Sequence, residues 1–163
     1  MESLVAISIL LVAITGPLTI ANNSLSFASF AKEQVVATYL AQDAIEYLRS
    51  IKDVDGFNTV AQLSSQPVNC SLGCKFDSSV GVVASCPNAI CPVLNFNPNN
   101  SLFTYDSVAP NGIRATPYTR TVKITSVDEV TLRVTVTVSW ASKISGNRSV
   151  LLQENFYNFE SSQ

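Results

Sequence analysis

The hydrophobic residues of this chain are gathered at its N-terminus. No charged residue occurs from Ser3 to Ala31, and the first part of that segment, up to Ala21, is almost wholly apolar or small. A helix of about 20 such residues spans the hydrocarbon core of a bilayer. Three interpretations compete: a cleavable secretory signal, a plain single-pass anchor, and an anchor that later packs against other helices. The signal is disfavoured because acidic Glu2 stands where Lys or Arg is expected, although Thr19–Ala21 weakly resembles a cleavage site.

Beyond the apolar segment the pattern becomes that of an amphipathic helix, with apolar residues every three or four positions. The apolar positions are Val36, Leu40, Ala44, Tyr47, Leu48 and Ile51, and the other face carries Lys32, Glu33, Gln42, Asp43, Glu46, Arg49 and Lys52. We expect the charged face to be solvated, with Arg49 within one turn of both Glu46 and Asp53. The pattern predicts a single long helix that ends between Asp53 and Gly56.

Gly16 and Pro17 interrupt this helical pattern. Pro17 has no N–H to donate four residues back, its ring clashes with the preceding turn, and Gly16 is conformationally free. We expect a kink or a locally melted turn at this point. An ordinary proline kink, of the kind that membrane helices tolerate, is the plain alternative.

The middle of the chain, from about Phe57 to Pro117, is rich in Asn, Ser, Pro and Gly, and therefore predicts loops with short strands. All 4 cysteines lie in this region, at Cys70, Cys74, Cys86 and Cys91. Disulfides are favoured over zinc because the spacing lacks the usual two-residue knuckle and the chain has no His. Three connectivities stay open. We expect the bridges to stiffen a region that lacks a core of its own.

From Tyr118 the period changes to two, which is typical of half-buried strands. The inward positions predicted by this alternation are Val122, Ile124, Leu132, Val134, Val136, Val138 and Trp140. A third segment, Ser149–Phe159, follows Ser145–Arg148, which has the composition of a hairpin turn. The apolar face of this three-stranded meander needs a cover, and the stripe of the amphipathic helix can supply it. The predicted fold class is α+β.

Composition narrows the possible functions. A chain of 163 residues fits one domain, and a net charge of −2 offers no basic patch for phosphate, so we predict no direct nucleic-acid site. The absence of His removes the commonest general base and metal ligand, and no nucleophile–base pair is evident. We therefore predict neither an enzyme nor a cofactor or metal site. The even number of cysteines indicates an oxidising compartment outside the membrane.

Taken together, these features resemble the bacterial type IV pilin superfamily, in which one long N-terminal helix packs on an antiparallel sheet. The start, Glu2-Ser3-Leu4-Val5-Ala6-Ile7, matches the end of the superfamily signature, roughly aromatic-Thr-Leu-Val/Ile-Glu-x-Leu-Val/Ile-Ala-Ile/Leu. Ala37–Glu46 is similar to the helix of these proteins. Val134–Trp140, with Gly146, Arg148, Val150 and Leu152 after it, is similar to the last strands of minor pilins and of minor type II secretion pseudopilins. The resemblance does not extend to the cysteine-bearing middle.

The resemblance implies a pilin fold and a structural subunit of an extracellular type IV pilus, assembled from a membrane pool for adhesion, twitching motility or DNA uptake. Glu2 would pair with the N-terminal amine of a neighbouring subunit, because an ionised carboxylate in hydrocarbon needs a partner charge. That amine is usually methylated after cleavage by the prepilin peptidase, and here it would be that of Met1 if Met1 is the mature terminus. The residues implied in filament assembly are Met1, Glu2, Leu4, Ala6 and Ala13, with Gly16 and Pro17 as a break that lets the helix bend.

The implied partners are further copies of the chain, minor pilins, the inner-membrane assembly platform and the prepilin peptidase. The predicted parts are a protruding hydrophobic helix half at 1–28 and a head at 29–163, made of helix 29–54, loop region 55–117 and meander 118–159. Two alternatives stay open. One is a minor or tip pilin or a type II secretion pseudopilin, whose head binds a surface, DNA or cargo. The other is a membrane-anchored extracytoplasmic binding module that never polymerises.

Overall fold

Helix α1, Glu2–Asp55, is the longest element of the computed structural model, which describes residues 2–65, 67–78, 80–107, 112–142 and 146–159. The helix continues without interruption through Gly16 and Pro17, so the locally melted turn is not present. Pro17 removes a single backbone donor, and the hydrogen bonds on either side carry the helix across it. Gly56 ends α1 at a φ of +90°, a conformation that favours glycine. The predicted end of the helix is confirmed.

Two compact units divide the chain, Met1–Val35 and Val36–Gln163, and the division falls within α1. The predicted boundary at residue 28 lies inside the first unit. The described part of the second unit, called the head below, contains the last part of α1, the short helix α2 at Phe57–Gln62, and the strands.

The described residues of the head form a seven-stranded antiparallel sheet. Its strands are β1 Cys74–Asp77, β2 Val82–Ser85, β3 Val93–Asn97, β4 Leu102–Thr104, β5 Arg114–Ser126, β6 Thr131–Ser142 and β7 Gly146–Tyr157. Strands β5, β6 and β7 are the predicted meander. On its other side, β5 pairs with β3 along its first half and with β1 along its second, and β4 and β2 extend these two strands outward. The short strands predicted for the middle region thus belong to the same sheet.

Strand β7 begins earlier than the sequence predicts. Gly146 and Arg148, predicted from composition to form the turn, belong to β7 and pair with Ser142 and Trp140 respectively. Residues 143–145, which separate the two strands in the sequence, are outside the described residues. The turn composition misleads here because the backbone pairing of β6 with β7 continues back to Gly146, and each added pair extends the ladder of backbone hydrogen bonds.

Pro117 lies inside β5, where a residue without an N–H interrupts the ladder. The pairing of β3 with β5 shifts register at this point, between Val93 opposite Thr119 and Asn95 opposite Ala115. The Thr116 hydroxyl donates to the Leu94 carbonyl oxygen at 2.5 Å and restores a link between the strands. The irregularity is therefore local, and β5 continues to Ser126.

The core of the head is formed by α1 and one face of the sheet. The predicted stripe of α1 is at least half-buried throughout, and Ala37, Ala41 and Ile45 join it as fully or almost fully buried positions. The sheet contributes the inward residues of β5 and β6, as the period-two pattern predicts. The middle region also contributes to this shared core, with Cys70, Cys74, Phe76 and Leu94 all at 0% exposure. The fold is α+β with a disulfide-stapled loop region.

Candidate functional site

The apolar residues of the first unit are exposed along the helix. From Leu4 to Phe27 the large hydrophobic side chains are 57–73% exposed. An 18-residue window of this segment is apolar enough to cross a membrane, and none of it is buried. By length and composition the segment can be a membrane anchor, and a signal sequence near an N-terminus has the same properties. Water is a poor environment for a continuous apolar surface of this size.

Five hydroxyl groups between Ser3 and Ala31 form hydrogen bonds with their own helix. Each donates a hydrogen bond to a carbonyl oxygen three or four residues earlier. The five donors are Ser8, Thr15, Thr19, Ser24 and Ser26, at distances of 2.8, 3.1, 2.9, 2.9 and 3.2 Å. These side chains therefore carry fewer unsatisfied polar groups into a hydrocarbon environment, where each would be costly.

Small residues lie close together on the surface of the same segment. Ala6 and Ala13 are two helical turns apart and so lie on the same side of α1, and both are exposed. A Cβ added at Gly16 would meet nothing within 4 Å, so this position is also open. Pro17 leaves the carbonyl oxygen of Ala13 without its usual helical donor. Small side chains of this kind let another helix approach closely.

The remaining residues implied in assembly are at the start of the helix. Leu4 is 73% exposed and lies on a different side of α1 from Ala6, because two residues correspond to about 200° of rotation. Met1 lies outside the described residues. Glu2 begins α1, but its side chain is likewise outside them. The pairing of Glu2 and the methylation of Met1 therefore stay predictions.

Two disulfides occur among the described residues, and they link neighbouring cysteines, Cys70 to Cys74 and Cys86 to Cys91. This confirms the predicted disulfides and selects one of the three connectivities. The first bridge is fully buried, while the second is 5–7% exposed. The two loops contact each other, because the Cys86 N–H donates to the Gly73 carbonyl oxygen at 2.9 Å. A Cβ at Gly73 would lie 3.1 Å from Thr121 Cγ2, so glycine permits the close approach to β5.

A fully buried arginine joins three parts of the head. Arg120, on the inward face of β5, is 0% exposed. Its Nη1 donates to the Leu40 carbonyl oxygen at 2.9 Å and to Asp43 Oδ2 at 2.6 Å, and its Nη2 donates to the Phe76 carbonyl oxygen. One guanidinium thus connects α1, β5 and β1, which matches its planar set of donors.

The prediction of a solvated charged face on α1 is wrong for Asp43 and incomplete for Arg49. Asp43 is 29% exposed, pairs with Arg120, and accepts a hydrogen bond from the Ser78 hydroxyl at 3.1 Å. Arg49 pairs with Glu46 as predicted, with 2.7 Å between Nη1 and Glu46 Oε1. Its second terminal nitrogen, Nη2, lies 2.8 Å from Glu154 Oε1 of β7. This hydrogen bond to Glu154 is the main cause that raises the pKa of Arg49.

A second set of polar residues lies beside Arg120. Asp77 Oδ2 accepts hydrogen bonds from the Thr104 hydroxyl at 3.0 Å and from the Tyr105 N–H at 2.9 Å, which ties the end of β1 to the end of β4. Burial raises the pKa of Tyr105, and the neighbouring Arg120 charge partly opposes this. Burial also raises the pKa of Tyr47, with the charges of Asp77 and Asp55 adding to the effect.

Sequence reasoning missed Arg120 and Asp77, although one signal was available for Arg120. The alternation from Tyr118 through Val122 places residue 120 on the inward face of β5, so a charge at this position predicts a buried partner. In the part of the chain that the structure describes, no group of three or more His, Cys, Asp or Glu residues could hold a metal.

No family model, no curated protein and no solved structure matches this chain. The long apolar N-terminal helix, the packing of α1 on an antiparallel sheet within the head, and the two disulfides of the described residues are compatible with a pilin-like fold.

Proposed function

We propose that this protein is the structural subunit of an extracellular filament of the type IV pilus kind. Its N-terminal helix first anchors the chain in a membrane and then packs against the same helix of other copies in the filament core. The observation that carries the proposal is the continuous exposure of apolar side chains from Leu4 to Phe27.

The size of this apolar surface argues for a non-aqueous environment. Twelve large apolar side chains between Leu4 and Phe27 are more than half exposed. Removing them from water is worth on the order of 20 kcal/mol, which exceeds the typical stability of a whole domain, about 5–15 kcal/mol. A bilayer supplies such an environment, and so does a bundle of identical helices.

Three features favour packing against other helices over a plain lipid anchor. Ala6, Ala13 and Gly16 provide small surfaces where a second helix can approach. The second feature is that α1 continues from the apolar segment into the head, so the apolar segment is part of the same helix that packs on the sheet. Glu2 is the third feature, because a carboxylate in hydrocarbon is costly unless a cation from another molecule pairs with it.

The carboxylate of Glu2 provides a specific test. Glu2→Ala should leave the amount of protein in the membrane unchanged but abolish or misregister the filaments, as measured by shearing and electron microscopy. Glu129→Ala, which removes an exposed carboxylate from the turn between β5 and β6, is the matched control and should assemble normally. A normal filament yield from Glu2→Ala would contradict the proposed pairing of Glu2 with a neighbouring subunit.

The abundance of the chain in isolated surface filaments separates the remaining possibilities. A major subunit makes up most of the filament mass. Trace amounts would identify a minor or tip subunit or a pseudopilin, and complete absence would identify a membrane-anchored module that does not polymerise. The prepilin peptidase, the assembly platform and minor pilins are proposed partners on the basis of the resemblance.

A further inference from the structure

A surface cleft of about 520 Å³ lies where α1 ends beside the last described residues after β7. Its walls combine carboxylates with aromatic and aliphatic side chains. The residues that matter for its chemistry are Asp53, Val54, Asp55, Phe57, Tyr157 and Phe159. All of them belong to the head.

Two features of this cleft favour a cation, although its lining already includes the ammonium of Lys52. Asp53 and Asp55 add two carboxylates in the last turn of α1. The faces of aromatic rings are also negative and attract ammonium and guanidinium groups.

The protein already binds one of its own cations at this place. Lys52 Nζ lies 5.7 Å from the centroid of the Phe156 ring and 3.7 Å from Asp53 Oδ1. An aromatic ring and a carboxylate therefore hold this ammonium together. The arrangement shows which pair of groups recognises a cation at this end of the head.

A second ring and carboxylate set is present in the cleft without such a cation. The rings of Tyr157 and Phe159 lie 6.0 Å apart at 41°, and they are 46% and 79% exposed. Asp55 is exposed, and among the described residues no cationic group contacts its carboxylate or these two rings. Lys52 also lines the cleft, but its ammonium is held by Phe156 and Asp53, so Asp55, Tyr157 and Phe159 form a second set of the same chemistry that no described cation contacts.

We propose that this cleft binds a Lys or Arg side chain of a partner polypeptide. The charged end of the side chain would lie between Asp55 and the rings of Tyr157 and Phe159. Its aliphatic stem would cover Val54, which is 79% exposed, and the edge of Phe159. This proposal does not rest on filament formation, because the site belongs entirely to the head.

The test uses the full chain in detergent micelles, with N-acetyl-arginine methylamide and N-acetyl-lysine methylamide as probes. N-acetyl-norleucine methylamide has a similar stem without the charge and serves as the control ligand. We expect saturable changes in the NMR signals of the Tyr157 and Phe159 rings with the two cations, and none with norleucine. Equal changes with norleucine, or no saturable change with either cation, would overturn the proposal.

Two variants localise the binding. Asp55→Asn and Phe159→Leu should each weaken binding of the cationic probes about two- to fivefold, as expected for exposed ion pairs and cation–aromatic contacts. Asp106→Asn removes an exposed carboxylate that follows β4 and should leave the affinity unchanged. An equal loss from Asp106→Asn would mean that the probes respond to overall charge, which contradicts a site in the cleft.

Discussion

The buried pair of Arg120 and Asp43 makes an unequal prediction for its two members. Arg120 is 0% exposed, whereas Asp43 is 29% exposed. Removing the carboxylate takes the ion-pair partner away from a fully buried guanidinium. Removing the guanidinium leaves a carboxylate that water can reach and that still accepts a hydrogen bond from Ser78. Loss of Asp43 should therefore cost more than loss of Arg120.

The expected losses of unfolding free energy follow from this difference in burial between Arg120 and Asp43. Asp43→Ala should lower the unfolding free energy of the head by about 3–5 kcal/mol, the usual cost of breaking a buried ion pair from one side. Arg120→Met keeps much of the side-chain volume but removes the guanidinium hydrogen bonds to the carbonyl oxygens of Leu40 and Phe76, which should cost about 2 kcal/mol. The double variant should cost about 3 kcal/mol, well below the sum of the two, because neither member of the pair is then left without the other.

Denaturant unfolding measures these values, with the disulfides intact and the chain in micelles. Trp140 is the only tryptophan and is 4% exposed, so its fluorescence reports on the core of the head. Arg133→Met is the matched control, because Arg133 is exposed on the outer face of β6, and its effect should stay within about 0.5 kcal/mol. A loss of under about 1 kcal/mol for Asp43→Ala would refute the predicted asymmetry. A double variant whose cost equals the sum of the two single costs would refute the coupling of the pair.

Two further predictions concern the disulfides and the buried tyrosine. Replacing Cys86 and Cys91 by Ser should cost about 2 kcal/mol, because the bridge spans a separation of only 5 residues, and replacing the fully buried Cys70 and Cys74 should cost more. Thermal unfolding compares the two pairs, and equal costs would contradict the burial argument. Because the pKa of Tyr105 is raised, the folded head keeps this proton while the unfolded chain loses it near pH ~10. The contribution of this proton to the unfolding free energy is complete below that pH and is lost as the pH rises through the folded pKa. Tyr105→Phe should therefore flatten the decline of the unfolding free energy measured between about pH 9 and 11. An unchanged slope would exclude a contribution from Tyr105.

The elements with strong local periodicity could be predicted from the sequence. Helix α1 ends where the pattern stops at Gly56, and the alternation beyond Tyr118 gives the meander. The presence of disulfides followed from the cysteine count, but their connectivity did not, because it depends on how the loops fold around Gly73. The predicted start of the last strand was wrong because composition at Ser145–Arg148 is a weaker constraint than the continued pairing of β6 and β7.

The long-range polar contacts could not be predicted with the same ease. Asp43 and Arg120 are separated by 77 positions, and on α1 alone Asp43 has the spacing of an exposed residue. Only the packing of α1 on β5 brings the two together. The exposure of the apolar segment was predictable, since nothing elsewhere in the chain matches its length, whereas the role of Glu2 depends on the resemblance to pilins.

Cross-linking between copies tests the central claim most directly. Photoreactive leucine can replace Leu in the full chain, including Leu4, Leu10 and Leu18 on the exposed apolar segment. After irradiation of isolated filaments, mass spectrometry should find covalent links between residues 2–35 of one copy and residues 2–35 of another. The account predicts that these helix-to-helix links dominate in filaments. It is contradicted if the apolar segment cross-links only to lipid or to unrelated proteins.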